Sequence, residues 1–203
     1  MRRSKKGNYA FIDSQNLNVS VQKYGWKMDW KKFRHFLSDK YGVTKAYMFI
    51  GYVPEYEDIY EKMHQAGYAV VLKPTFDMTK PQPEERTKTG EEKKVKGNVD
   101  ADMVLWAMKE VPNYSKAVIV SGDGDFFGLV EYLQQQDKLY KILTPTGQYS
   151  SLFHQFEEYL ERLDNYRREL AYRDRRFNRN RGQAKTDSQP APTPPQASDS
   201  LQK

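Results

Sequence analysis

The 203-residue chain predicts an α/β fold, a mostly parallel sheet with helices on both faces. Three observations carry this expectation. Apolar runs of strand length alternate with segments of helical periodicity, the signature of strands joined by helical crossovers. Thr44–Val53 (TKAYMFIGYV) is almost continuously apolar, as a strand covered on both faces must be. The length suits one medium domain with appendages, at roughly 150 residues per domain. A chain of this size hides roughly 70% of its unfolded surface and needs no covalent staple.

Each element follows from local chemistry. Tyr9–Asp13 is a short apolar run closed by an acid. Asp29 precedes an amphipathic helix that carries Trp30, Phe33, Phe36 and Leu37. After Thr44–Val53, Pro54 opens a helix over Glu55–Ala66 that Gly67 closes, and Tyr68–Leu72 is the next strand. Lys73–Asn98 is polar, with Pro74, Pro81, Pro83 and Gly90, and is long for an internal loop; such loops are functional or disordered. Helical periodicity resumes over Asp100–Glu110 through Met103, Leu105, Trp106, Ala107 and Met108. Ala117–Val120 reads as a buried strand, Asp125–Gln135 as a helix and Leu139–Leu143 as the last strand. Leu152–Arg173 predicts a long charged final helix with an apolar stripe of Leu152, Phe156, Tyr159, Leu160, Leu163 and Tyr166, for packing on the domain or for a partner. From Asn178 the composition collapses to Pro, Gln, Ser, Ala and Thr, too little apolar surface to offset the entropy of ordering. The expected organisation is a basic arm (1–6), a domain (7–166) and an arginine-rich helix end with a disordered tail (167–203).

Composition excludes several chemistries. There is no cysteine, hence no disulfide, thiolate zinc site or cysteine nucleophile. His35, His64 and His154 are too scattered for a histidine-rich metal motif. With a mean hydropathy of −0.91, no apolar run approaches the ~18 residues of a membrane span, and the basic N-terminus lacks the apolar core of a signal peptide. The expectation is a soluble, cytoplasmic protein with no membrane partner. The net charge of +6 is unevenly spread. Of 33 basic and 27 acidic residues, 13 and 4 fall in residues 1–6 and 167–203, which leaves residues 7–166 with 20 against 23, a net −3. An acidic body with basic ends suits either solvated tails or arms that hold a polyanion.

The acids gather where such a sheet binds ligands, beyond the carboxyl ends of its strands. Asp13 ends the first strand, with Asn16 three residues on. Asp123 and Asp125 follow Ala117–Val120 in Ser121-Gly122-Asp123-Gly124-Asp125, and Asp100 and Asp102 open the preceding helix. Carboxylates without a lysine or arginine among them repel unless a cation bridges them, and oxygen ligands select Mg²⁺ or Mn²⁺. Each acid also has an ordinary role open to it: Asn98 or Asp100 as a helix cap, and Asp123 and Asp125 as a strand-to-helix turn and its cap. A haloacid-dehalogenase-like site is excluded, because it needs a second acid where this chain has Gln15.

Three blocks, Phe11-Ile12-Asp13-Ser14-Gln15-Asn16-Leu17, Lys96-Gly97-Asn98-Val99-Asp100 and Val120-Ser121-Gly122-Asp123-Gly124-Asp125-Phe126, resemble the signature blocks of NYN domains, in the LabA-like branch of the PIN-like nuclease superfamily. The resemblance covers about residues 7–163. It implies a three-layer α/β/α sandwich, an acidic pocket for Mg²⁺ or Mn²⁺, and cleavage of RNA phosphodiesters by an activated water. By that likeness Asp13, Asp100, Asp123 and Asp125 match the metal-binding acids and Asn16 the family asparagine, together the candidate catalytic set. Asp102 has no secure counterpart; it lies roughly 200° round a helix from Asp100. Ser121 would orient a carboxylate and stands with Lys94, Lys96, Arg175, Arg176 and Arg179 among the substrate-binding candidates. Two departures stand out: Ser14 where the family more often has glycine, and Leu152-Phe153-His154-Gln155-Phe156 where it usually has an aspartate.

Two functions follow as expectations. One is a metal-dependent ribonuclease, in which Lys88, Lys93, Lys94, Lys96 and the basic ends contact phosphate. In it Tyr47, Tyr52, Phe76, Phe126 and Phe127 serve either as base-stacking residues or as core. The alternative is a catalytically inactive RNA-binding module that relies on the arginines between Arg167 and Arg181. Single-stranded RNA is the expected partner in both, and a homodimer is left open.

Overall fold

Six parallel strands form the frame: β1 (Asn8–Asp13), β2 (Val43–Gly51), β3 (Tyr68–Lys73), β4 (Ala117–Val120), β5 (Leu139–Thr144) and β6 (Leu160–Arg162). They pair in the order β3-β2-β1-β4-β5-β6. The structure, a computed structural model, describes residues 6–73 and 99–173. Contacts divide the chain into Met1–Tyr172 and Arg173–Lys203, and the described residues other than Arg173 belong to the first unit. Phe76, Lys88, Lys93, Lys94, Lys96, Asn98, the arginines Arg175, Arg176, Arg179 and Arg181, and the tail expected to be disordered lie outside the described residues.

The sheet is covered on both faces because its strands alternate between two cores. Ala10 and Ile12 of β1, Met48 of β2, and Val118 and Val120 of β4 face one cluster. There they meet Leu17 and Val21 from α1 (Ser14–Lys23), Phe33, Phe36 and Leu37 from α2 (Trp30–Tyr41), and Met63 from α3 (Glu57–Gln65). Phe11, Tyr47, Phe49 and Ile119 face the other. Met103 and Ala107 of α4 (Asp100–Glu110) cover that side, with Leu129, Val130 and Leu133 of α5 (Phe127–Gln135). The three-layer α/β/α arrangement expected from the resemblance is therefore the fold. Tyr47 and Phe126 are fully committed to it, so they are core and not base-stacking residues.

Local signals place most elements as the sequence predicts. The Asp29 carboxylate accepts from Lys32 N at 3.1 Å and caps α2. Pro54 opens a 3₁₀ turn over Pro54–Tyr56 that leads into α3. Gly67 takes φ +93°, where a side chain is strained, and so ends α3 ahead of β3.

Two elements differ. The sequence reading has no helix between Asp13 and Asp29, yet α1 is there. It is polar and buries only Ser14, Leu17 and Val21, so its periodicity is faint. The predicted long helix over Leu152–Arg173 is replaced by a 3₁₀ segment (Ser151–Tyr159), β6, a 3₁₀ turn (Leu163–Tyr166) and the short α6 (Arg167–Leu170). Three residues per turn put Phe153 and Phe156 on one buried face, whereas Leu152 is half exposed. β6 then pairs Leu160 with Ile142 and Arg162 with Thr144 at the sheet edge. Packed structure continues to Tyr172: Leu170 is buried, and Tyr172 N donates to the Lys27 carbonyl.

Substitutions separate the two arrangements. Phe153→Ala is expected to cost about 3–5 kcal/mol and Leu152→Ala less than about 1. A continuous helix with the predicted stripe gives the reverse order in denaturant unfolding.

Candidate functional site

Strand order reverses between β1 and β4, since the chain runs outward through β2 and β3 on one side and through β5 and β6 on the other. Crevices at such switch points, beyond the carboxyl ends of the strands, are where open α/β sheets bind ligands. Ile12 pairs with Val120, so the next residues, Asp13 and Ser121, emerge side by side.

A cleft of about 350 Å³ opens there, lined by Asp13, Asn16, Asp100, Asp123 and Asp125. All five candidate catalytic residues are brought together. Asp102 is not, because it pairs with Lys73 at 3.2 Å on the other side of α4. α1 adds Lys23 to the cleft wall, a residue sequence reasoning passed over because the helix that carries it went unseen. Asn16, Ser20 and Lys23 recur at helical spacing, and that was the available signal.

Hydrogen bonds fix the acids from beneath. The Asp13 carboxylate accepts from Asn16 N at 3.0 Å, which caps α1, and from the Ser121 hydroxyl at 3.2 Å. Ser121 Oγ in turn accepts from Asp123 N at 3.1 Å, and the Asp123 carboxylate accepts from Asp125 N at 3.1 Å. Ser121 is fully buried with its hydroxyl committed twice. It therefore orients the Asp13 carboxylate and holds the Asp123 backbone, and being fully buried it is not placed to contact substrate. Asn16 joins α1 to the same turn, its side-chain carbonyl accepting from Gly122 N at 3.0 Å. Its amide group donates no hydrogen bond among the described residues and is available at the cleft. Ser14, which replaces the more usual glycine, donates to the Phe49 carbonyl at 2.7 Å and ties the start of α1 to β2.

Burial pushes the Asp13 carboxyl up to about 6 from its ordinary 3.8. The Asn16 N–H opposes the rise, the charge of Asp100 adds to it, the Ser121 hydroxyl opposes it, and Asp123 adds a smaller push. Among the described residues no lysine or arginine forms an ion pair with Asp13, Asp123 or Asp125. The donor set is all oxygen and carries excess negative charge, which fits a hard divalent cation. Among the described residues, however, no three acid or imidazole side chains stand close enough to enclose one ion as they are placed. An ion of the Mg²⁺ kind keeps several waters and is held by one or two carboxylates, so it needs no closed cage.

The NYN domain matches residues 9–168 of the chain. The chain belongs to the NYN domain family. NYN domains form part of a PIN-like nuclease superfamily, so the chain carries a nuclease-type fold with its acids at the expected rim. The chain is also similar to the low amplitude and bright protein LabA of Synechococcus elongatus, at 24% identity over 144 residues, covering 68% of this chain and 73% of the relative. A solved structure of a protein of unknown function from Vibrio parahaemolyticus shares the fold, with TM-score 0.61 and 21% identity over 85% of this chain and all of the other. No helix among the described residues of this NYN chain is long and apolar enough to cross a membrane.

The raised Asp13 carboxyl has a stability consequence with a definite sign. Between pH 3.8 and about 6 the folded chain holds a proton that the unfolded chain gives up, so this group's contribution to stability falls as pH rises through that window. Above it, the charged form costs about 3 kcal/mol in the metal-free protein. Asp13→Asn is expected to raise the Tm of chelator-treated protein by roughly 5–10 °C at pH 8, a gain that shrinks toward zero near pH 4. Thermal unfolding across that range checks it; a gain that does not change with pH excludes the buried charge as its source.

Proposed function

We propose that this NYN chain hydrolyses phosphodiester bonds of single-stranded RNA with Mg²⁺ or Mn²⁺ in the acidic cleft. The observation that carries the proposal is the delivery of four aspartates from three separate elements to one crevice at the sheet's switch point. The ion would sit among Asp13, Asp100, Asp123 and Asp125, held directly by one or two of them and through its waters by the others. When bound, such an ion lowers the pKa of a water and offsets the charge that builds on the phosphate.

The protein's own groups do the rest. Ser121 and the Asn16 N–H hold Asp13 in one orientation, and Asp123 is set by its bond from Asp125 N. The free amide of Asn16 donates to a phosphate oxygen. Among the described residues Lys23 is the cation on the cleft wall, and it pairs with a phosphate of the bound strand. Lys94, Lys96, Arg175, Arg176 and Arg179 add the wider phosphate contacts that a strand needs. The superfamily and the similarity to LabA support a nuclease-type or RNA-related role without naming a substrate.

A second reading, a catalytically inactive RNA-binding module, draws on the lack of a closed three-carboxylate cage among the described residues. The homodimer left open by the sequence has no observation in its favour.

One set of measurements decides between the two. Purified protein with Mn²⁺ is expected to cleave end-labelled single-stranded RNA, chelator to stop it, and Asp123→Asn to lower the rate at least about 100-fold. Binding without cleavage by the wild type in any divalent metal leaves the second reading standing. Lys23→Met is expected to weaken binding across all sequences and to reduce the salt slope by about 1.

A further inference from the structure

A second cleft of about 720 Å³ meets the acidic one, sharing Asn16, Asp123 and Asp125 with it. Its outer wall is different in kind. Gln148, Tyr149, Ser150 and Leu152 line it, and among the described residues no lysine, arginine or histidine does. With two carboxylates at the inner end and no cation among its described lining residues, it disfavours a phosphate. An aromatic ring, a half-exposed leucine and an exposed amide suit a flat, neutral group with donors and acceptors along its edge. The Gln148 side chain has no hydrogen-bond partner among the described residues, so both its donor and its acceptor are free.

Contacts within the protein tie the wall down. Pro145 and Thr146 are buried, and the Thr146 hydroxyl accepts from Gln148 N at 3.1 Å. Ser150 N donates to the Gly122 carbonyl at 2.9 Å, which fastens the loop to the turn that carries Asp123. A Cβ on Gly124 would stand 2.4 Å from Ser150 Oγ, so the glycine is what lets the two segments close up. His154 sets the Tyr149 ring, edge-on with centroids 5.8 Å apart. This gives His154 a structural reason to occupy the block where the family usually has an aspartate.

We infer that this cleft is a nucleobase subsite, in which Tyr149 stacks on the base next to the scissile phosphate and Gln148 contacts its edge. The inference rests on the proposed nuclease function and adds to it the part of the substrate that is read. A base inside a duplex has no free face to offer, so the subsite selects single strands. Lys23 and the Tyr149 wall belong to different clefts that join at the acids, so the strand crosses with phosphate on one side and base on the other.

The test compares a single-stranded oligoribonucleotide with a fully abasic strand of the same length, which keeps every phosphate. Binding is read by fluorescence anisotropy and cleavage by gel, both on the full chain with divalent metal. Wild type is expected to bind the intact strand at least about tenfold more tightly than the abasic one. Tyr149→Leu loses that preference, Tyr149→Phe keeps it, and all three bind the abasic strand equally. Gln148→Ala, at an exposed position, weakens only the intact strand. Equal losses on both strands in Tyr149→Leu, or no loss on either, overturn the subsite. Base-dependent binding through Tyr149 without cleavage by wild type retains the subsite and removes the nuclease reading.

Discussion

The register of β1 against β4 is the constraint on which the site depends. Ile12 stands opposite Val120, and only that pairing brings Asp13 and Ser121 out of the sheet together. Both strands are buried on both faces, so polarity cannot set the register, and size does. Ala10 and Ile12 point to one core while Tyr9 and Phe11 point to the other. A slip of one residue would drive two aromatic rings into the space filled by an alanine and an isoleucine. The Phe11 and Tyr47 rings, stacked with centroids 5.5 Å apart, add a cross-strand contact that holds β2 in the same frame.

Capping and ligand chemistry meet in the same side chains. Asp13 caps α1, and Asp123 caps the 3₁₀ turn after β4, yet both line the cleft. A carboxylate offers two oxygens, so a bond to a backbone N–H fixes its direction and leaves lone pairs for an ion. The capping role and the proposed metal-binding role would therefore reinforce each other, because the cap sets the aim. Burying Asp13 with no cationic partner among the described residues works against stability, and the two apolar cores flanking the sheet offset that cost.

The sequence made the central frame readable because buried parallel strands leave nothing but apolar residues in a row. The acids were readable for a related reason: each follows directly from such a strand or opens a helix. The parts that stayed hidden share a physical cause. α1 buries three residues out of ten, so its pattern sits close to noise, and Lys23 was lost with it. The segment from Ser151 to Leu170 has apolar residues at spacings that fit an α-helix, and no local signal says that Leu160–Arg162 pairs with β5 instead. Edge pairing is a tertiary choice. Tyr149 and Gln148 sit in a loop whose form depends on Gly122, Gly124 and Ser150 meeting across 25 residues or more of sequence, and periodicity carries no trace of that.

The uneven charge of the chain takes on a geometric meaning once the clefts are placed. An acidic body alone would repel a polyanion, and a uniformly basic one would bind it anywhere. Here four of the acids line one cleft, where a bound ion would convert their repulsion to attachment. Among the described lining residues, Lys23 supplies positive charge at one side of that rim and the Tyr149 wall supplies none. Affinity from phosphate contacts is independent of sequence and falls with salt, whereas affinity from stacking depends on an unpaired base and is far less sensitive to ions. On the proposed function, separating the two on opposite sides of the acids would let the basic residues gather RNA in general while the Tyr149 wall selects which part of it reaches the acids.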